Sequence, residues 1–177
     1  MQQFVVPHTA VSHFHLRDGD RVADIGAGSG HFSFAIAHAV APSGRVFAVE
    51  IQKSLAERIA REARAKHINN LEAVWADLES PRGVRIADGT LDAVVFANVL
   101  FQIGHRNRAL LEGKRMLRSG GKLFIIDWAD SFSSVGPHQD LVVTEAEAKA
   151  LAQEAGFTFV RTFPAGSHHY GLAFQNH

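Results

Sequence analysis

Residues 22–34 read VADIGAGSGHFSF: a short apolar run ending in an acid and an isoleucine, glycines at 26, 28 and 30, then a segment of helical period. Glycine has no Cβ, so it accepts positive φ and lets another group approach the backbone closely. A strand, a glycine-rich turn and a helix start make a place where backbone N–H groups can meet a polar ligand. The same arrangement also serves as a plain turn in α/β folds, and the loop alone leaves both readings open. Its spacing does separate ligand classes. A dinucleotide fingerprint, G-x-G-x-x-G, requires glycine at position 31, where this chain has His31.

Outward from this loop, strand-length apolar runs alternate with longer segments of helical period, the pattern of a parallel sheet covered by helices on both faces. The expected strands are 22–25, 45–50, 71–75, 91–97 and 122–128. The expected helices are 31–40, 54–66 and 106–117, the first stopped by Pro42-Ser43-Gly44 and the last by Ser119-Gly120-Gly121. LDAVVFA at 91–97 is apolar at nearly every position, as a central strand buried on both faces would be. Beyond a polar loop at 131–140 comes a helix over 144–155, with Thr144 and Glu147 spaced for a capping box. Two strands then follow, 157–163 and 170–174. Their connection is too short for a crossover helix, so they should pair antiparallel.

The 177 residues, 46% hydrophobic and 20% charged, suit one domain over 1–177, with 1–20 a short N-terminal cap. Eighteen basic residues balance eighteen acidic ones, which gives no field to draw in a polyanion and makes nucleic acid an unfavoured partner. There is no cysteine, which excludes disulfides, thiolate zinc sites and cysteine-held iron–sulfur clusters. No apolar run approaches the roughly 20 residues that span a bilayer, and the start, MQQFVVPHTA, lacks the regions of a secretion signal. The expected location is the cytoplasm, as a monomer or homodimer. Eleven histidines are present without the H-x-x-x-H spacing of a helical zinc site, so no metal is expected.

Asp24 followed by G-x-G-x-G resembles motif I of the class I S-adenosylmethionine-dependent methyltransferases. LRSGGKLFIIDW at 117–128 with HHYGLAF at 168–174 is similar to bacterial and archaeal proteins related to the menaquinone-biosynthesis methyltransferases. The resemblance implies an α/β fold: a Rossmann-like, doubly wound seven-stranded sheet whose last strand runs antiparallel. It also implies S-adenosyl-L-methionine as cofactor, with S-adenosyl-L-homocysteine as product. Carried onto this chain, it assigns cofactor binding to Asp24, Gly26, Ala27, Gly28, Gly30 and Phe32 at the loop. Glu50 would serve the ribose, with Ile51 beside it also cofactor-binding, Asp77 the adenine amino group, the Leu78 N–H a ring nitrogen, and Asn98 and Val99 the methionine end. Each has a plainer reading: Glu50 as a strand end that a dinucleotide site would share, Asp77 as a turn aspartate before Pro81, Asn98 as a residue that merely ends its strand.

Candidate catalytic bases are Asp127, His105 and His169, with His168 and Tyr170 beside the last; each could equally be a solvated or core residue. Trp128 could wall a substrate pocket or pack as core. Residues 7–14 are expected to form a small lid helix with His8 near the methionine end. Ala97-Asn98-Val99-Leu100 lacks the prolines of the N/D-P-P-Y/F signature, which argues against methylation of a base nitrogen. The expected reaction is methyl transfer to oxygen or carbon of a small molecule, an aromatic or quinone-like acceptor being the class in view. An RNA or protein substrate, a non-catalytic cofactor-binding module, and NAD-dependent oxidoreduction are the alternatives.

Overall fold

The computed structural model describes residues 5–131 and 136–177; the polar loop expected at 131–140 lies partly outside them. In chain order the elements are α1 (Pro7–Ser12), β1 (Arg21–Ile25), α2 (His31–Ala39), β2 (Arg45–Glu50), α3 (Lys53–Ala65), β3 (Leu71–Trp75), β4 (Leu91–Ala97), α4 (Arg106–Met116), β5 (Leu117–Trp128), α5 (Glu145–Glu154), β6 (Thr158–Pro164) and β7 (His169–Gln175). The seven strands order as β3-β2-β1-β4-β5-β7-β6. β1 to β5 are mutually parallel, and β7 runs antiparallel between β5 and β6. This is the architecture that the resemblance implies.

Burial explains the assignment strand by strand. Val94, Val95 and Phe96 of β4 are fully buried, as an apolar run flanked by strands and covered on both faces requires. Leu123, Phe124, Ile125 and Ile126 of β5 are at most 1% exposed. α3 buries only Ala56, Ile59 and Ala63, one stripe of an otherwise solvated helix. At α5 the capping box forms: the Thr144 hydroxyl accepts from the Glu147 N–H, and the Glu147 carboxylate accepts from the Thr144 N–H.

Two expectations change. The glycines at 120 and 121 do not end α4; the helix stops at Met116 and β5 begins at once. Leu117 lies opposite Leu91 and Lys122 opposite Ala93, so the Ser-Gly-Gly stretch is bulged out of the ladder, with Gly120 at φ +74°. Asn176 satisfies the bulge, donating its side-chain amide to the Leu117 and Arg118 carbonyls and its own N–H to Gly121. The second change concerns residues 7–14. α1 is a core element: Ala10, Val11 and Phe14 are buried, and the Phe14 ring stacks on Phe124 with centroids 4.2 Å apart. His8 faces His38 of α2, ring centroids 6.0 Å apart. Of residues 7–14 Pro7 alone reaches the cleft described below, beside Val5 just before it.

Between β1 and β4 the winding reverses: the chain moves from β1 outward to β3, then returns to lay β4 on the other side of β1. In open α/β sheets a crevice forms at the carboxyl ends of the strands flanking such a reversal, because the connecting loops leave in opposite directions. Phe14→Ala should lower unfolding stability by about 3–5 kcal/mol, since the ring is 1% exposed and packs between Phe124 and Phe163; a urea titration would read it.

Candidate functional site

The carboxyl ends of β1, β2, β3 and β4 open into a cleft of about 720 Å³, within the range of small-molecule sites. All three loop glycines have positive φ, yet for different reasons. A Cβ on Gly26 would fall 2.3 Å from a Val99 methyl, and one on Gly30 would press on Phe34 and Ile59 at 3.1 Å. These two glycines let the loop pack against its neighbours. A Cβ on Gly28, which lines the cleft, would meet nothing nearer than the Gly26 carbonyl at 3.9 Å, so the space above it is open.

Asp24 lies beneath the loop, 1% exposed. It accepts from the Ser33 hydroxyl at 2.5 Å and from the Ser33 N–H in the first turn of α2. Burial pushes its carboxyl up to about 6, against those hydrogen bonds, and the charge on Glu50 adds to the rise. Asp24 and Gly30 shape the site from below; neither lines it.

Glu50 ends β2, and its carboxylate accepts from the Gly28 N–H and the Gln52 N–H, both at 2.8 Å. A carboxylate has about four acceptor positions, so half remain to receive hydroxyl donors from the cleft. Ile51 follows at the rim, 60% exposed, and its carbonyl accepts from the Trp75 indole at 3.0 Å. Asp77 and Leu78 line the third wall. The turn reading of Asp77 holds here too: its two oxygens accept from the Glu79 N–H at 2.9 Å and the Ser80 hydroxyl at 2.8 Å, with acceptor capacity left over.

Asn98 closes the fourth wall beside Val99. It adopts left-handed backbone, φ +55°, a conformation asparagine tolerates better than most residues. Its Oδ1 is buried with no hydrogen-bond partner among the described residues.

Glu79 was not singled out by the sequence. It lines the cleft and accepts from the Gly104 and His105 N–H groups, both at 3.0 Å, tying the loop after β3 to the loop after β4. Its only sequence signal is its place two residues beyond Asp77. Ser33, which anchors Asp24, likewise gave no signal beyond a hydroxyl inside an apolar helix.

Glu50, Asp77 and Glu79 are acids, and no lysine or arginine is among the described residues of the lining. A pyrophosphate would find three acids and no lysine or arginine here, whereas a cationic nucleoside rich in hydroxyls finds carboxylates.

The three candidate bases lie outside the lining. Asp127 is 1% exposed and accepts from the Leu100 N–H at 2.9 Å and the Trp128 N–H at 2.8 Å, holding the turn after Asn98. Burial pushes its carboxyl up to about 6. His105 is exposed, next to α4. His169 packs on Trp128, ring centroids 4.2 Å apart, and burial lowers its imidazole. The Tyr170 hydroxyl donates to the Val143 carbonyl at 2.9 Å, and burial raises it, so it stays protonated. No group of three or more potential metal ligands occurs among the described residues.

Comparison with known proteins agrees with this geometry. A family model described as a methyltransferase domain matches residues 16–161. The ubiquinone/menaquinone biosynthesis C-methyltransferase UbiE of Chromobacterium violaceum is 31% identical over 138 residues, covering 75% of this chain and 55% of that protein. A demethylmenaquinone methyltransferase of Symbiobacterium thermophilum is 28% identical over 123 residues, covering 70% of this chain and 48% of its own length. The chain thus spans about half the length of these relatives. Among solved structures, a SAM-dependent methyltransferase from Aquifex aeolicus superposes with a TM-score of 0.89 at 23% identity, covering 97% of this chain and 89% of that one; at that identity it shows the fold alone.

Asp24 and Asp127 give the site a pH signature. Their folded-state values of about 6 lie above the roughly 3.9 of an unfolded aspartate. The native state therefore binds more protons than the unfolded one between about pH 4 and 6, and stability falls as pH rises through that window. Asp24→Asn keeps an acceptor for Ser33 and cannot ionise. Its urea midpoint should vary less than the native protein's between pH 4 and 6.5, the difference approaching about 3 kcal/mol at pH 7.

Proposed function

The chain belongs to the class I S-adenosylmethionine-dependent methyltransferases, and from that premise we propose that it transfers the methyl group to a small, uncharged, apolar acceptor of aromatic or quinone-like character. The observation that carries the reading is the make-up of the cleft: three carboxylates, no lysine or arginine among the described lining residues, and apolar side chains such as Val5, Pro7, Phe32, Leu55 and Ile103 beside a few neutral polar ones. When bound, S-adenosylmethionine supplies a methyl on a sulfonium, which is its own leaving group.

The residues divide the work by position. Glu50 keeps acceptor capacity for a ribose diol while its bonds to Gly28 and Gln52 hold it still. Asp77 accepts from the adenine amino group, and the Leu78 N–H donates to the ring. The backbone of Asn98 and Val99 holds the amino-acid end, with the left-handed turn at Asn98 setting its direction. Val5, Pro7, Phe32 and Ile103, all lining residues, exclude water and offer an acceptor apolar contact.

Asp127 and His105 are assigned no proton transfer. Asp127 positions the turn after Asn98 through the Leu100 N–H, and His105 lies with Arg106 and Leu111 in a separate surface depression. Alignment alone can supply about 7–11 kcal/mol, and a phenolic or enolic acceptor loses its proton without a strong base. The relatives named for quinone biosynthesis favour the same acceptor class.

Incubation with methyl-labelled donor and cell extract should place label in the low-mass, organic-soluble fraction; label confined to RNA or protein would replace this reading with a macromolecular one. Glu50→Gln, which exchanges an acceptor oxygen for a donor, should weaken binding of S-adenosylhomocysteine about tenfold or more with a thermal midpoint shifted by only a few degrees.

A further inference from the structure

S-adenosylmethionine and its demethylated product both end in an amino acid, so a site for them must hold a carboxylate as well as an ammonium. Glu50, Asp77 and Glu79 all repel a carboxylate, and no lysine or arginine is among the described lining residues. One lining side chain can meet an anion as a hydrogen-bonding cation, and it is His31.

His31 is the first residue of α2, placed by the left-handed turn at Gly30, φ +84°. The side chains of this first turn diverge. Ser33 turns inward, its hydroxyl and N–H both given to Asp24, so the helix end already has an acid beneath it. Phe32 lines the cleft beside His31. His31 itself is exposed at the cleft mouth and makes no hydrogen bond among the described residues. The acid whose charge it feels is Glu62 on α3, and Glu62 is already tied to Lys66 at 2.7 Å. The imidazole is left for a ligand.

We infer that His31 reads the carboxylate of the cofactor's amino-acid end and is a specificity-determining residue of this site. The inference rests on the methyltransferase reading above. With the ribose on Glu50 and the adenine at Asp77, the amino-acid end runs over Gly28 toward Asn98, and the imidazole at the mouth is the one described lining side chain that can offer a carboxylate a charged donor. The residue that departs from the dinucleotide pattern is then the one that suits a zwitterionic ligand.

The test compares two ligands that share adenosine and a thioether: S-adenosylhomocysteine, which has the amino-acid headgroup, and 5′-methylthioadenosine, which lacks it. Calorimetry on the full chain should show His31→Ala weakening S-adenosylhomocysteine about five- to tenfold while 5′-methylthioadenosine stays within about twofold. His31→Lys, which restores a cation, should recover most of the loss. Retained 5′-methylthioadenosine affinity also shows that the variant is folded. Unchanged S-adenosylhomocysteine affinity in His31→Ala, or equal losses for both ligands, would overturn the assignment. If the native protein bound neither ligand, the cofactor reading would fall and this inference with it, an outcome distinct from a failure of His31 alone.

Discussion

The carboxylate of Glu50 is the constraint on which the site depends. It accepts from the Gly28 N–H and the Gln52 N–H at 2.8 Å each, so one buried side chain joins the turn after β1 to the turn after β2. Gly28 can make that bond because its backbone is left-handed and nothing stands on its Cα. Gly26 and Gly30 make the approach possible by letting Val99, Phe34 and Ile59 come close. The carboxylate is 5% exposed with no salt bridge among the described residues, held by backbone dipoles and facing a cleft that can bring it hydroxyl donors.

Other acids extend this arrangement. Asp24 caps the first turn of α2 through Ser33, Asp127 holds the turn after Asn98, and Glu79 bridges the loops after β3 and β4. Each spends its charge on N–H or O–H donors rather than on a cation, and burial pushes Asp24 and Asp127 up toward neutrality. The salt-bridged arginines among the described residues lie elsewhere: Arg115 joins Glu112 and Asp88, Arg82 joins Asp88, Arg118 joins Asp92 and Arg45 joins Glu72, none of them in the cleft lining. This segregation of charge separates the cleft from a phosphate-binding one built on the same sheet.

Much of this was legible in the sequence, and the reasons are local. The strands β2, β3 and β4 read directly because apolar runs of that length, bounded by turn residues, have few alternatives. Glu50, Asp77 and Asn98 were legible because strand ends in this topology converge on one crevice, so position along the chain becomes position in space. The bulge at Gly120 read wrongly as a helix stop, since glycine serves both and only the pairing of Leu117 with Leu91 and Lys122 with Ala93 decides. The candidate bases were the weakest point. Asp127 stands at a strand end like Glu50, but its side chain turns to the Leu100 and Trp128 amides, and a one-dimensional pattern carries no information on that turn. Residues 7–14 were read as a lid because they precede the first strand; Phe14 instead found Phe124, a contact 110 positions away along the chain.

The proposed methyl-donor site is the crevice between β1 and β4, with Gly28, Glu50, Leu78 and Val99 as its contacts. Backbone amide resonances of the labelled protein, titrated with S-adenosylhomocysteine and separately with NADH, test it most directly. Saturable shifts are expected at Gly28, Ile51, Leu78 and Val99 with S-adenosylhomocysteine, with little change along α4 and no saturable shifts with NADH. Shifts centred elsewhere, or the same response to both ligands, would contradict it.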